Sequence, residues 1–459
     1  MTNTRTPSDI DALANKYFHA DLALSPEAAT VVGTDDADHG ALSDYSPAGD
    51  EQRSLISGTL AKLNSLPITD DVDRITVAAM NERLGLELEL IDSGERCGEI
   101  NVISSPIQGV RDIFDLMPTE TEADWDNVNR RLGVVAEALE GYKESLRQRI
   151  ASGPPIPARQ IERCAEQCEG AAGSASPFLH LVNKRPEVAA NADSARVAYG
   201  QLAEFLRQTA LPTAVEEDAV GRERYSLFSR HFLGADIDLD ETYEWGKAEL
   251  AGIVAEQERI ARELYGPGVG VREAMERLDS DPKRKLCGVE ALQKWMQETA
   301  DASIDAMSQH FDIPEPLRTI ECCLAPSGTG IIYYTGPTGD FSRPGRMWWS
   351  VPSGVTEFAT WKEKTTVYHE GVPGHHLQIG LATYMRDSLN DWRRSGCWVS
   401  GHGEGWALYA EQLMAELGYM DELGDRMGVL DSMRLRTSRV VVDLGVHLRK
   451  DAGPWGEGA

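Results

Sequence analysis

YHEGVPGHHLQIG, residues 368–380, reads as a helix that bears metal-capable side chains and is interrupted midway. His369 and Glu370 reproduce the opening of H-E-x-x-H, in which two histidines hold zinc and the glutamate takes a proton from the metal-bound water. The fourth position after His369 is Pro373, and the next histidines, His375 and His376, follow at six and seven residues. In a regular helix the sixth residue lies roughly 9 Å along the axis and well round the cylinder, so both histidines could not bind one ion without distortion. Pro373 and Gly374 supply that distortion. Proline removes the amide that would bond back to His369 and crowds that turn, while glycine accepts whatever dihedrals follow. The pattern predicts a bulged or broken turn that returns His375 to the metal. His376 competes with it, because seven residues recover the helical phase.

Five of the ten histidines (His369, His375, His376, His402 and His447) fall between residues 369 and 447, where an even spread would put fewer than two. A catalytic zinc keeps three protein ligands from imidazole and carboxylate and leaves one position for water. Glu404, 29 residues beyond His375 in GHGEGWALYAEQLMAELG, sits near the start of an amphipathic helix and supplies a third ligand from a second element. Gly403 and Gly405 are expected to allow its close approach. Glu411 shares its face two turns on, as an outer partner of a ligand or an alternative ligand, and His402 is a further candidate to orient a ligand or bind substrate. Asp443 and His447, four apart on one helix face, form a pair that orients a ligand from behind or aims the His447 imidazolium at an oxyanion as a catalytic group, or else a surface ion pair. Arg434, Arg436 and Arg439 either bind a substrate carboxylate or form a solvated helix face.

Upstream, APSGTGIIYYTGPTGDFSRPGRMWWSVPS (Ala325–Ser353) has short aromatic and β-branched runs between glycine and proline turns, which predicts two short strands or a hairpin. Helical periodicity resumes at about Thr356. The rest is mainly helical: three- and four-residue spacing marks helices over 8–22, 50–66, 71–92, 132–150, 194–208, 241–266 and 289–311. The expected fold is mainly α, in two regions, 1–240 and 241–459, forming one continuous two-lobed unit with a cleft, the second carrying the small β element and the zinc site.

Aspartate and glutamate number 74 against 45 lysine and arginine, a formal net charge of −29 that argues against nucleic acid or an anionic membrane as partner. The opening MTNTRTPSDIDALANKYF has no apolar core of a signal peptide, and no stretch approaches the length of a membrane span. Seven scattered cysteines without a C-x-x-C pair read as reduced thiols, which points to the cytoplasm.

At HEGVPGHHLQ and EGWALYAE the sequence resembles the bacterial family catalogued as domain of unknown function 885, grouped with the gluzincin metallopeptidases. The resemblance takes in SRPG at Ser342–Gly345, RVVVDLGVH at Arg439–His447 and SPEAATVVGTDD from Ser25, and so spans most of the chain. More distantly the arrangement is similar to thimet oligopeptidase, angiotensin-converting enzyme and the thermostable carboxypeptidases, helical proteins with a deep cleft. It implies zinc held by His369, by His375 or His376 and by Glu404, with Glu370 as general base. It also implies an edge strand, near Tyr333 and Tyr334, that pairs with extended peptide; the alternative is that Tyr333, Tyr334, Trp348 and Trp349 only pack the sheet. Family members usually continue beyond DAGPWGEGA with helices holding a tyrosine or arginine for the tetrahedral intermediate, which makes metal binding a firmer expectation than turnover. The expected activity is zinc-dependent hydrolysis of oligopeptides. The rivals are hydrolysis of a non-peptide amide and a helical zinc protein without turnover.

Overall fold

The computed structural model describes residues 5–34, 37–47, 50–325 and 332–450. These divide into two compact units: Thr6–Ala219 with a returning segment Asn390–Cys397, and Val220–Leu389 with the chain from Trp398 on.

In the first unit, helix starts are written in the sequence. Ser8 and Thr121 close capping boxes with Asp11 and Asp124, and Asp70 accepts from the amide of Asp73. Each satisfies amide groups that a helix N-terminus leaves orphaned. Along the helix Glu122–Ser152 the buried residues Val128, Leu132, Val135, Leu139, Tyr142 and Leu146 recur at three- and four-residue spacing and pack on Cys164, Cys168, Tyr199 and Leu202. A second core joins Ile10, Tyr17 and Phe18 to Ile56, Met80 and Leu84. The returning segment enters it through Trp392, and Asn390 donates to Asp11 at 2.9 Å. The reading of the sequence contains no such return.

The second unit holds the helices Gly221–Leu233, Leu239–Tyr265, Val271–Ser280, Val289–Met307, Thr360–Glu370, His375–Tyr384, Ser400–Glu416 and Leu423–His447. Its strands are β1 (Lys285–Cys287), β2 (Ile320–Leu324), β3 (Ile332–Thr335), β4 (Gly345–Trp349) and β5 (Glu357–Ala359). β1 and β5 pair antiparallel, and a three-stranded sheet has the order β2-β4-β3, with β2 parallel and β3 antiparallel to β4. The expected pair of strands is therefore β3 and β4. β2 lies outside the segment that predicted them, and the following helix begins at Thr360 because residues 357–359 are drawn into β5. Part of the glycine-rich run, residues 326–331, lies outside the described residues, as does DAGPWGEGA. β4 alternates as a half-buried strand should: Gly345, Met347 and Trp349 face the core, and Arg346 and Trp348 face out. Among the described residues no helix is long and apolar enough to cross a membrane.

Candidate metal centre

The helix Thr360–Glu370 stops immediately after His369 and Glu370, and a new helix starts at His375. Between them the chain folds back tightly: the Gly374 amide bonds to the Tyr368 carbonyl at 3.1 Å, and the His376 amide to that of Gly371 at 3.1 Å. The Val372–Pro373 peptide bond is cis. A Cβ on Gly374 would overlap the His369 carbonyl, and one on Gly371 would lie 2.6 Å from the Val367 oxygen. Both glycines are needed for the break, which is a broken turn as the sequence predicts.

That break sets the two imidazoles perpendicular, with ring centroids 4.8 Å apart. His369 Nε2 is 3.2 Å and His375 Nε2 3.6 Å from Glu404 Oε2, and one ligand atom from each residue falls within 4.8 Å of the others. Ligands at zinc distances of about 2.0–2.1 Å in a tetrahedron stand roughly 3.3 Å apart, so the two separations from Glu404 match the edges of such a site, and the two imidazole nitrogens lie within 4.8 Å of each other. The histidines are buried and the Glu404 side chain is half exposed, which gives the group one face open to solvent. Glu404 lies in the first turns of Ser400–Glu416. Gly403 has a packing reason, since the Trp398 indole lies against it, whereas a Cβ on Gly405 would meet open space, so the expected need for that glycine is not met.

Glu411 orients rather than ligates. Its buried carboxylate accepts from His369 Nδ1 at 2.8 Å, from the Thr365 hydroxyl and from Arg436 Nη1 at 3.0 Å. With Nδ1 held by Glu411, it is Nε2 that is turned toward Glu404 and His375, and its lone pair becomes available to a metal once its proton leaves. Arg436 is thus an anchor for Glu411. Thr365 was missed, although its place four residues before His369 on one helix face is a readable signal.

His376 is not part of the group. Its Nδ1 meets the Tyr334 hydroxyl at 2.9 Å and its Nε2 meets the Leu317 carbonyl at 3.0 Å, so both nitrogens are engaged. Burial pushes it down to about 4, which keeps it neutral. This bond crosses Gly345, where a Cβ would overlap the Tyr334 oxygen. The glycine of SRPG is therefore the floor under a strut that ties β3 to the first turn of the His375 helix.

Burial lowers His369, but hydrogen bonds to Glu404 and Glu411 outweigh it and push the imidazole up to about 9. The same bonds from His369 and His375 hold Glu404 well below the usual carboxylate range. Burial raises Glu411, and its bond from His369 and the charge of Arg436 more than reverse this. The pocket favours added positive charge. Glu370 is pushed up by burial, against the pull of His369 and His375. Glu370 Oε2 and His375 Nδ1 are buried and have no hydrogen-bond partner; neither is among the atoms that converge on Glu404. Donor types, spacing and charge all fit a zinc ion.

Other candidates lie elsewhere in their contacts. His402 Nδ1 is 3.3 Å from Gln378 Nε2. Tyr333 stacks on Trp348 at 6.1 Å on the outer face of the sheet. Asp443 accepts from Tyr225 at 2.6 Å and lies 3.6 Å from His447 Nε2, while His447 Nδ1 accepts from the Val220 amide at 3.2 Å. Arg439 is exposed. No described contact joins Tyr333, Arg439, Asp443 or His447 to His369, Glu370, His375 or Glu404. For the Asp443–His447 pair, read from sequence as either an oxyanion group or a surface pair, the described contacts are with each other, with Tyr225 and with the Val220 amide.

Fold and site define a mainly helical protein with a His–His–Glu group placed to hold a metal ion. The chain belongs to the bacterial proteins of unknown function termed DUF885, whose family model matches residues 26–457. Two solved structures share the fold. "The putative lipoprotein from Colwellia psychrerythraea" has a TM-score of 0.80 at 21% identity, over 96% of this chain and 83% of that one. "A putative lipoprotein of unknown function from Shewanella oneidensis" has a TM-score of 0.70 at 16% identity, over 96% of this chain and 84% of that one. No curated protein matches the sequence.

Proposed function

We propose that this chain is a zinc-dependent hydrolase of gluzincin type that cleaves peptide bonds of oligopeptides. The observation that carries the reading is the convergence of His369 Nε2 and His375 Nε2 on Glu404 Oε2, with Glu370 buried next in sequence to His369. His369, His375 and Glu404 would hold the ion, and Glu411 with Arg436 and Thr365 fixes the His369 ring. A zinc ion bound there polarises a carbonyl and acidifies water. Glu370 accepts the proton of the attacking water at its carboxylate and delivers it to the leaving amine nitrogen. Its affinity for a proton, raised by burial, favours taking one from the water.

A peptide substrate is favoured by β3, which pairs on one side only among the described residues and is tied to the metal turn through Tyr334 and His376. An open strand edge binds extended peptide through backbone groups, without regard to sequence. Seven free cysteines support a reducing, cytoplasmic setting.

The test is metal analysis with peptide cleavage. Wild type should take up one zinc, Glu404→Ala should lose it, and Glu370→Gln should keep zinc while losing roughly 10²–10⁴ in rate. Wild-type protein that cannot take up zinc sinks the proposal, and full activity in Glu370→Gln removes Glu370 as the base.

A further inference from the structure

The two helices that carry His375 and Glu404 also line a cavity of about 530 Å³ that the ligand set does not use. Leu377 and Leu381 come from the first helix, Met385 from the residue that follows it, Trp406 from the second helix, and Phe311 from the loop after Val289–Met307. Phe311 and Trp406 meet edge to face at 6.5 Å. The one polar atom of Trp406, its indole N–H, donates to the Pro373 carbonyl at 2.8 Å, so the ring offers the cavity only apolar surface. Leu381 and Met385 remain 38% and 41% exposed, which marks an apolar mouth open to solvent.

The polar side chains of the lining are Gln378 and His402, which meet each other, and the exposed Asp312. Gln378 is one helical turn beyond His375, and His402 is two residues before Glu404. At about 1.5 Å rise per residue both stand within roughly 5 Å, along their helix axes, of a ligand. An extended peptide advances about 3.3 Å per residue, so a side chain one or two positions from the scissile bond spans that distance.

We infer that this cavity receives a bulky apolar side chain of the substrate, making the protein selective for peptides with leucine, methionine or phenylalanine beside the cleaved bond. The inference rests on the peptidase reading for its occupant. The cavity is several times the volume of a single methylene, and each methylene in such a pocket is worth roughly 10–200-fold in discrimination. Phenylalanine over alanine at that position should therefore gain at least about 10² in kcat/KM.

The experiment compares zinc-loaded wild type with Ala382→Trp, which fills the cavity, and Leu381→Glu, which puts charge at its exposed mouth. A peptide series differing only in alanine, leucine or phenylalanine at one position is cleaved, and binding of N-acetylphenylalanine amide and of dodecanoate is followed by Trp406 emission, with Trp406→Phe as control. The expected result is a phenylalanine preference of about 10² that collapses to a few-fold in both variants while zinc content holds. A wild type without preference, or variants that keep it, overturns the inference. If wild type cleaves no peptide, the peptidase reading fails instead, and the cavity is judged on binding. Saturable binding of the phenylalanine amide, lost in Leu381→Glu, retains the apolar side-chain site, and no binding or tighter binding of dodecanoate overturns it.

Discussion

Zinc uptake should displace a proton from His369, and the pH dependence of that exchange tests the arrangement of Glu404 and Glu411 around it. With His369 pushed up to about 9, the imidazole is about 97% protonated at pH 7.5, and a proton must leave before Nε2 can bind a metal. The competition costs about 1.4 kcal/mol for each pH unit below 9, or about 2 kcal/mol at pH 7.5. Apparent zinc affinity should therefore rise about tenfold per pH unit from 7 to 9 and then level off. Calorimetric titrations at pH 7.5 in buffers of different ionisation enthalpy should show about one proton released by His369 per zinc. Glu411→Gln keeps the shape of the outer partner and removes its charge. That lowers the proton affinity of His369, so release should drop well below one and the pH slope should flatten. The intrinsic affinity should also weaken about 10- to 100-fold, the usual result of losing a carboxylate that orients a ligating imidazole. Equal proton release by wild type and Glu411→Gln, or zinc affinity independent of pH from 7 to 9, would refute this account of the site.

The metal-free protein should itself lose stability as pH rises, because His369 binds its proton more tightly folded than unfolded. That contribution, about 3 kcal/mol, is complete below about pH 6.5 and gone above about 9, so urea midpoints should fall across this range and zinc should flatten them. His376 works in the opposite direction: its folded value near 4 lies below the unfolded one, so its contribution of about 3 kcal/mol is complete above about pH 6.5 and lost as pH falls toward 4. His376→Gln should remove that acid-limb slope and, by breaking the strut at the start of the His375 helix, weaken zinc binding. Gly345→Ala should cost about 1–3 kcal/mol by thermal unfolding, as overpacking against Tyr334 and His376 displaces the strut. Tyr334→Phe should cost a similar amount through the unmet His376 nitrogen, with no new atom added.

Much of this was legible because local chemistry wrote it. Apolar spacing marked the helix 71–92 to the residue, and Pro373 with Gly374 marked the break that separates the two histidines. The choice between His375 and His376 was not legible, because it depends on Leu317 and Tyr334, which are 59 and 42 residues from His376 in the chain. β1, β2 and β5 escaped for a related reason: each has only three to five residues, too few for a period to show, and its partner is remote. The return of Asn390–Cys397 to the first unit rests on a few scattered contacts, of Trp392 and Cys397 with the core and of Asn390 and Asp391 with Asp11 and Asn15, which carry no periodic signal.

The longer spacing between histidines also changes what holds the site. In H-E-x-x-H both ligands share one face of one regular helix, and the backbone alone sets their separation. Here the second ligand opens a new helix, so its position depends on whatever anchors that helix start. The anchors are the packed turn at Gly371 and Gly374, and the bonds of His376 to Tyr334 and Leu317. His375 has no carboxylate behind it comparable to Glu411 behind His369; its Nδ1 is unpartnered, and the Trp398 ring lies 6.5 Å away. Its orientation comes from packing rather than hydrogen bonding. Substitutions at Gly345 or Tyr334, which touch no ligand, should therefore weaken zinc binding along with stability. Changes that loosen Glu411 should weaken zinc binding through His369 alone.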